Sequence, residues 1–339
     1  MDTAVLKSTA EKLVSDSKGI FAADWSLGTI TKKFASVNLV STPELNRKYR
    51  EMLISTQGLE EYISGVIFHD ETVRQKVNDK IPFAEYALDK GIIPGIRIDE
   101  GYEPFGDSEK ETVTKGLETL TKRLDEYKEM SLKFTKWRAV FVIDKISPTE
   151  EFVKENIKRM VEAFKMSQEK GLVPIFEPEV SLEGEHTTAR CEETTKMVLL
   201  RTFEELKRNK AYLPGSLLKV NMVLPGKDNG IKASPLEVAN ATLRVVKTCV
   251  PDEIPGIVFL SGGQSSEEAT VNLNEINKLA EDIPWKLSFS YARALQMPAL
   301  RTWAGSDENI TKAQEVFKNR ARLNYLAVQG KYTPEMENG

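Results

Sequence analysis

Short apolar runs recur along the chain at 19–23, 63–68, 92–98, 138–143, 172–176, 216–223, 256–260 and 286–289. Their lengths and flanking turn residues suit buried strands better than helices. Between and after them lie amphipathic stretches with helical spacing, at 111–133, 149–170, 186–208, 236–249, 265–279 and 309–328. Strands alternating with helices predict right-handed crossovers and a parallel sheet. Eight such units in 339 residues match a single α/β domain of the (β/α)8 TIM-barrel class. A doubly wound sheet is the rival, but no G-x-G-x-x-G follows an early strand. No Pro- or Gly-rich linker divides the chain. One domain over 1–339 is therefore expected, with a helix in 1–18 and a short tail at 331–339.

The run 216–223 carries one lysine in its middle. Alternation along a strand puts Leu217, Lys219 and Asn221 on one face and Leu218 and Val220 on the other. An amine among leucines is poorly hydrated, which lowers its pKa. A neutral amine attacks carbonyls and forms a Schiff base. The plainer reading is a buried ion pair or a side chain that snorkels out.

In such barrels the chemistry gathers at the C-terminal ends of the strands. Those ends offer Asp24, Arg97, the pair Glu177 and Glu179, the turn Ser261-Gly262-Gly263-Gln264, and Ser290 and Arg293. Two carboxylates two apart on a strand share a face, and their pKa values can separate into an acid and a base. A strand end meeting solvent reads equally well. Asp24 reads either as a site residue or as the N-cap of the next helix. The glycine turn ahead of a helix suits a phosphate, with Arg293 as a second donor. Lys136 and Arg138 precede or open their run, so the pattern alone favours a solvated basic turn.

Composition narrows the partners. A net charge of -4 gives no broad attraction to nucleic acid or an anionic membrane. No stretch has the length of a membrane span or the apolar centre of a signal peptide. Cys191 and Cys249 are too few to frame the fold, which suits a reducing, cytoplasmic setting. With His69 and His186 the only imidazoles, a three-histidine zinc site within the chain is impossible. No metal and no cofactor are expected.

Several segments, taken in order, resemble class I fructose-1,6-bisphosphate aldolases, the metal-independent Schiff-base type. They are Gly19-Ile20-Phe21-Ala22-Ala23-Asp24, Lys136-Trp137-Arg138, Phe176-Glu177-Pro178-Glu179, Leu217-Leu218-Lys219-Val220-Asn221, Ser261-Gly262-Gly263-Gln264-Ser265, Ser290-Tyr291-Ala292-Arg293 and Gly330-Lys331-Tyr332-Thr333-Pro334. The resemblance implies a lyase of glycolysis and gluconeogenesis that acts on phosphorylated ketoses and trioses. It implies Lys219 as the Schiff-base lysine, Glu177 as the proton shuttle, and Glu179 and Lys136 as the rest of the charged cluster. Asp24 would remove the C4-hydroxyl proton, and Ser261, Gly262 and Arg293 would hold the C1 phosphate. Ser26, Thr29, Lys32 and Arg138 would surround the far end of the sugar, with Arg97 and Ser290 in the same substrate-binding set. A homotetramer is implied as well.

The chain departs from the animal enzymes at Trp25, Arg97, Val142, Val220 and Ala292, and it is expected to do without their long tail with its terminal tyrosine. The alternatives are the same chemistry on fructose 1-phosphate or sedoheptulose 1,7-bisphosphate, or a non-catalytic barrel that binds phosphosugars or a protein partner.

Overall fold

Each apolar run becomes one stave of a closed barrel in the computed structural model, which describes residues 1–108 and 110–338. The strands are β1 Gly19–Ala22, β2 Ile63–Phe68, β3 Ile93–Arg97, β4 Phe134–Phe141, β5 Val173–Val180, β6 Leu217–Asn221, β7 Gly256–Leu260 and β8 Lys286–Tyr291. All pair in parallel with their neighbours in chain order. β8 closes on β1 with Ile20 opposite Ser290 and Phe21 opposite Tyr291. The helices are α1 Thr3–Leu13, α2 Leu27–Ala35, α3 Pro43–Ile54, α4 Asp70–Val73, α5 Phe83–Asp89, α6 Leu120–Glu129, α7 Glu150–Glu169, α8 Thr188–Arg208, α9 Pro235–Cys249, α10 Ser266–Leu279, α11 Arg293–Trp303 and α12 Ile310–Val328. This is the (β/α)8 architecture. Among the described residues no helix is long and apolar enough to cross a membrane.

Two stretches differ from the sequence reading. β4 starts at Phe134, four residues before its apolar run, because Lys136 and Arg138 lie inside the strand and interrupt its apolar pattern. The 111–133 stretch is helical only over Leu120–Glu129. Ahead of that helix, Thr112–Thr114 pairs antiparallel with Tyr102–Pro104. Thr-Val-Thr is β-branched and stiff, which favours a strand. Gly116, at φ +117°, then breaks the chain direction before the helix can begin. In the tail, Pro334–Asn338 forms a short 3-10 helix, and Gly339 lies outside the described residues.

The lower part of the barrel is filled with apolar side chains. Leu6, Ala10 and Leu13 recur along one face of α1 and, with Val14, pack against Ile20, Ile67, Phe134, Ile175, Leu217 and Val258. α1 thereby plugs the N-terminal end of the barrel. Its start is fixed by Asp2, whose side chain accepts from the amides of Ala4 and Val5. Gly95 leaves room for the Phe134 ring, since a Cβ there would lie 2.4 Å from it. The outward faces, including Phe141, Phe176, Leu218, Val220 and Phe259, form a second apolar layer under the helices. With the lower interior plugged, the charged side chains inside the barrel sit toward its open, C-terminal mouth among the described residues.

Candidate active site

The alternation that turns Leu217 inward turns Lys219 inward as well, one layer higher, while Leu218 and Val220 face the helices. Asn221 breaks the expected alternation. Its Oδ1 accepts the Val180 amide at 2.9 Å and its Nδ2 lies 3.4 Å from Thr195 of α8. The strand ends there, and the side chain takes an amide of β5 that the ladder leaves free.

Lys219 opens onto a cavity of about 250 Å³ at the C-terminal mouth. From the predicted set, Asp24, Thr29, Arg97, Lys136, Arg138, Glu177, Glu179, Lys219, Ser261, Gly262, Ser290 and Arg293 line it. Lys136 Nζ sits 2.7 Å from Asp24 Oδ2 and 3.1 Å from Glu177 Oε2. Lys219 Nζ lies 3.2 Å from Glu177 Oε1. Glu177 thus stands between two buried lysines. Arg138 Nε donates to Glu179 Oε2 at 2.6 Å, and Arg97 Nε donates to Asp99 Oδ1 at 2.7 Å. Lys136 and Arg138 are no solvated turn; Lys136 is 3% exposed.

The electrostatics separate the two lysines. Burial pulls the Lys219 amine below the ordinary lysine range, and the Lys136 charge adds to that, against opposition from Glu177. Burial also acts on Lys136, but Asp24 and Glu177 outweigh it and hold its proton firmly. For Asp24, burial alone would raise the carboxyl; Lys136, Lys219 and Arg97 overcome it and keep it ionised well below the usual range. Glu177 is lowered against its own burial by Lys136, Lys219 and Arg138. The resting site therefore pairs a readily deprotonated amine with a fixed ammonium and two carboxylates, a division of labour suited to proton transfer.

The remaining wall is basic and polar. Ser290 Oγ is buried without a hydrogen-bond partner among the described residues. Gly262, at φ +54°, packs so closely on Leu182 that a Cβ would lie 2.7 Å away. Arg293 Nη2 donates to the carbonyl of Gly262 and, at 3.4 Å, to that of Gln264. Gln264 N bonds back to Ser261 O, while the amides of Gly262 and Gly263 have no acceptor among the described residues. Free amides beside glycine are an anion cradle. Arg293 follows β8, whereas Arg97 and Arg138 belong to β3 and β4. In a barrel of eight staves β8 and β4 are opposite, so the mouth has a basic group on each side.

Two predicted residues lie elsewhere. Ser26, not Asp24, caps α2: its Oγ accepts the Thr29 amide at 3.3 Å and contacts Thr29 Oγ1 at 3.1 Å. Lys32 is exposed, and Lys33 lines the cavity instead. Lys32 and Lys33 follow Thr29 by three and four residues, so the helical period alone does not choose between them; the fold exposes Lys32 and turns Lys33 to the cavity. Burial lowers the Lys33 amine, and the neighbouring Arg293 charge lowers it further, which puts Lys33 on the Arg293 side of the mouth. Trp25 lines the cavity too, with its ring parallel to Tyr49 at 6.2 Å. Its carbonyl accepts from buried Arg50 at 3.3 Å, and the Ala22 carbonyl accepts from Gln296 at 2.8 Å, so the backbone around Asp24 is held at two points.

The family model described as glycolytic, fructose-bisphosphate aldolase class-I, matches residues 5–339. The non-muscle type fructose-bisphosphate aldolase of Lethenteron camtschaticum is 43% identical over 335 residues, covering 98% of this chain and 92% of that relative. A probable fructose-bisphosphate aldolase class 1 of Xanthomonas campestris is 44% identical over 333 residues, covering 98% of this chain and 99% of that relative. Among solved structures, a fructose-bisphosphate aldolase from Plasmodium falciparum in complex with TRAP and a small molecule inhibitor has a TM-score of 0.95. It is 43% identical and covers 98% of this chain and 96% of that one.

Proposed function

The chain belongs to the class I fructose-bisphosphate aldolase family, and from that premise we propose that it cleaves fructose 1,6-bisphosphate reversibly into dihydroxyacetone phosphate and glyceraldehyde 3-phosphate. The observation that carries the reading is the buried Lys219 amine 3.2 Å from Glu177, with Lys136 holding the other side of the same carboxylate. The neutral amine attacks the C2 ketone. The C2 oxygen takes one proton from solvent to become the carbinolamine hydroxyl, and Glu177 takes the proton lost by nitrogen and returns it to that hydroxyl, so water leaves and a protonated imine remains. Asp24, kept ionised, removes the proton of the C4 hydroxyl. The C3–C4 electron pair then moves into the imine, and glyceraldehyde 3-phosphate departs. A proton delivered to C3 of the enamine and hydrolysis of the imine release dihydroxyacetone phosphate and restore the amine. Lys136 keeps its charge throughout and stabilises negative charge that develops on oxygen.

The two basic sides of the mouth favour a sugar with a phosphate at each end. Ser261, Gly262, Lys33 and Arg293 would receive the C1 phosphate, and Arg97 and Arg138 the distal one. We assign the chain to a homotetramer acting in the cytoplasm, in the same reading. Steady-state cleavage of fructose 1,6-bisphosphate, fructose 1-phosphate and sedoheptulose 1,7-bisphosphate tests the substrate. The first is expected to have the highest kcat/KM, with all cleavage lost in Lys219→Ala. A preference for the singly phosphorylated sugar, or activity surviving in Lys219→Ala, would overturn the proposal.

A further inference from the structure

The turn between β7 and α10 is held from outside by two arginines. Arg293, in the cavity wall, bonds the carbonyls of Gly262 and Gln264. Arg320, from α12, bonds the Ser266 carbonyl at 3.1 Å and the Thr270 hydroxyl, one turn apart at the start of α10. Arg320 does not line the cavity. It is 4% exposed and sits behind the turn, in the helical layer.

A guanidinium buried this far requires a counter-charge. Glu337 provides it: Arg320 Nη1 donates to both of its carboxylate oxygens, at 2.7 and 2.6 Å. Tyr332, 2% exposed, donates its hydroxyl to Glu337 Oε1 at 2.8 Å. The Tyr332 amide donates to Asn274 Oδ1 at 3.0 Å, two turns further along α10. The segment 332–337 is therefore fastened to the helix that starts at the glycine turn, and its one carboxylate on Arg320 balances the charge that holds the helix's first turn.

We propose that Arg320 is a positioning residue for the phosphate-binding turn and that Glu337 sets its position. This rests on the phosphate reading given above. Without the Glu337 charge, the Arg320 guanidinium is buried and unbalanced, and water becomes its better partner. The Ser266 carbonyl keeps the Thr270 hydroxyl at 2.9 Å but loses the donor that ties it to α12, so the start of α10 is no longer tethered and the free amides of Gly262 and Gly263 lose their fixed placement. Lys219, on β6, has no part in this chain of contacts. Phosphate affinity falls while the amine chemistry stays.

Borohydride trapping on the full chain separates those two effects. Dihydroxyacetone phosphate and dihydroxyacetone form the same imine but differ in the phosphate. In Glu337→Gln, the concentration of dihydroxyacetone phosphate giving half-maximal labelling is expected to rise about threefold to tenfold. The value for dihydroxyacetone and the maximal labelling rate are expected to hold. Tyr332→Phe, which removes only the hydroxyl on Glu337, is expected to move the same ratio in the same direction by less. An unchanged ratio in both variants, even with a lowered Tm, means a purely structural clamp and overturns the proposal. Failure of the unaltered chain to prefer the phosphorylated ketone overturns the phosphate reading itself, and the inference with it.

Discussion

Lys136 and Lys219 share a cavity and a carboxylate yet hold their protons differently, because Lys136 has two acids in contact and Lys219 has one. Cyanate reacts only with a neutral amine, so the pH midpoint of Lys219 carbamoylation reports its proton affinity. That midpoint is expected below the ordinary lysine value of about 10.4. Glu177→Gln removes the charge that opposes the lowering, so the midpoint should move to lower pH. Lys136→Met removes a like charge that favours it, so the midpoint should rise. Peptide mass mapping of time courses at stepped pH reads both, and movement in the reverse directions would contradict the assigned causes. At this scale much was legible. An amine inside an apolar run and two glutamates two apart announce themselves by type and spacing. Lys32 was expected in the site where Lys33 lies, because adjacent lysines three and four residues after Thr29 both fit its face and only the packed helix separates them. The partners of Glu177 came from the resemblance and not from the pattern, since Lys136 and Lys219 lie far apart in the chain on β4 and β6 and meet only when those strands flank β5.

The strands and helices followed from periodicity wherever polar side chains stayed out of the buried face. β2 and β7 fell at their predicted limits for that reason. β4 did not, because its functional charges sit inside the strand and mimic a surface turn. The Tyr102–Pro104 hairpin was hidden by short length and charged neighbours, although Thr114 of its partner strand bonds the Arg138 carbonyl at 2.8 Å and so supports the site. The start of α10 was legible from Ser265 and Glu268, which form a capping box. Ser265→Ala is expected to cost about 1 kcal/mol in urea unfolding. Gly95→Ala should cost about 1–3 kcal/mol by the same measurement, because the added methyl meets the Phe134 ring. A Gly95→Ala protein as stable as the parent would mean that Phe134 has room to move.

The barrel as a whole has a dry end and a wet end, and they do different work. α1 closes the dry end with Leu6, Ala10 and Leu13. Nothing local in 1–18 says where that amphipathic face docks, so the plug was beyond the sequence pattern. Leu13→Ala is expected to lower stability by about 2–5 kcal/mol while kcat per folded molecule stays unchanged, since the cavity lies at the other end. We take the chain to be one domain, so heat or urea should remove ellipticity and activity in a single shared transition. Two separated transitions would divide it.

The most direct measurement is the site of covalent capture. Borohydride added with dihydroxyacetone phosphate, followed by digestion and peptide mass mapping, is expected to place one three-carbon adduct per chain on Lys219, with Lys136 and Lys33 unlabelled. Capture on another lysine, or no capture while the sugar is still cleaved, would contradict the assignment of Lys219 as the reacting amine.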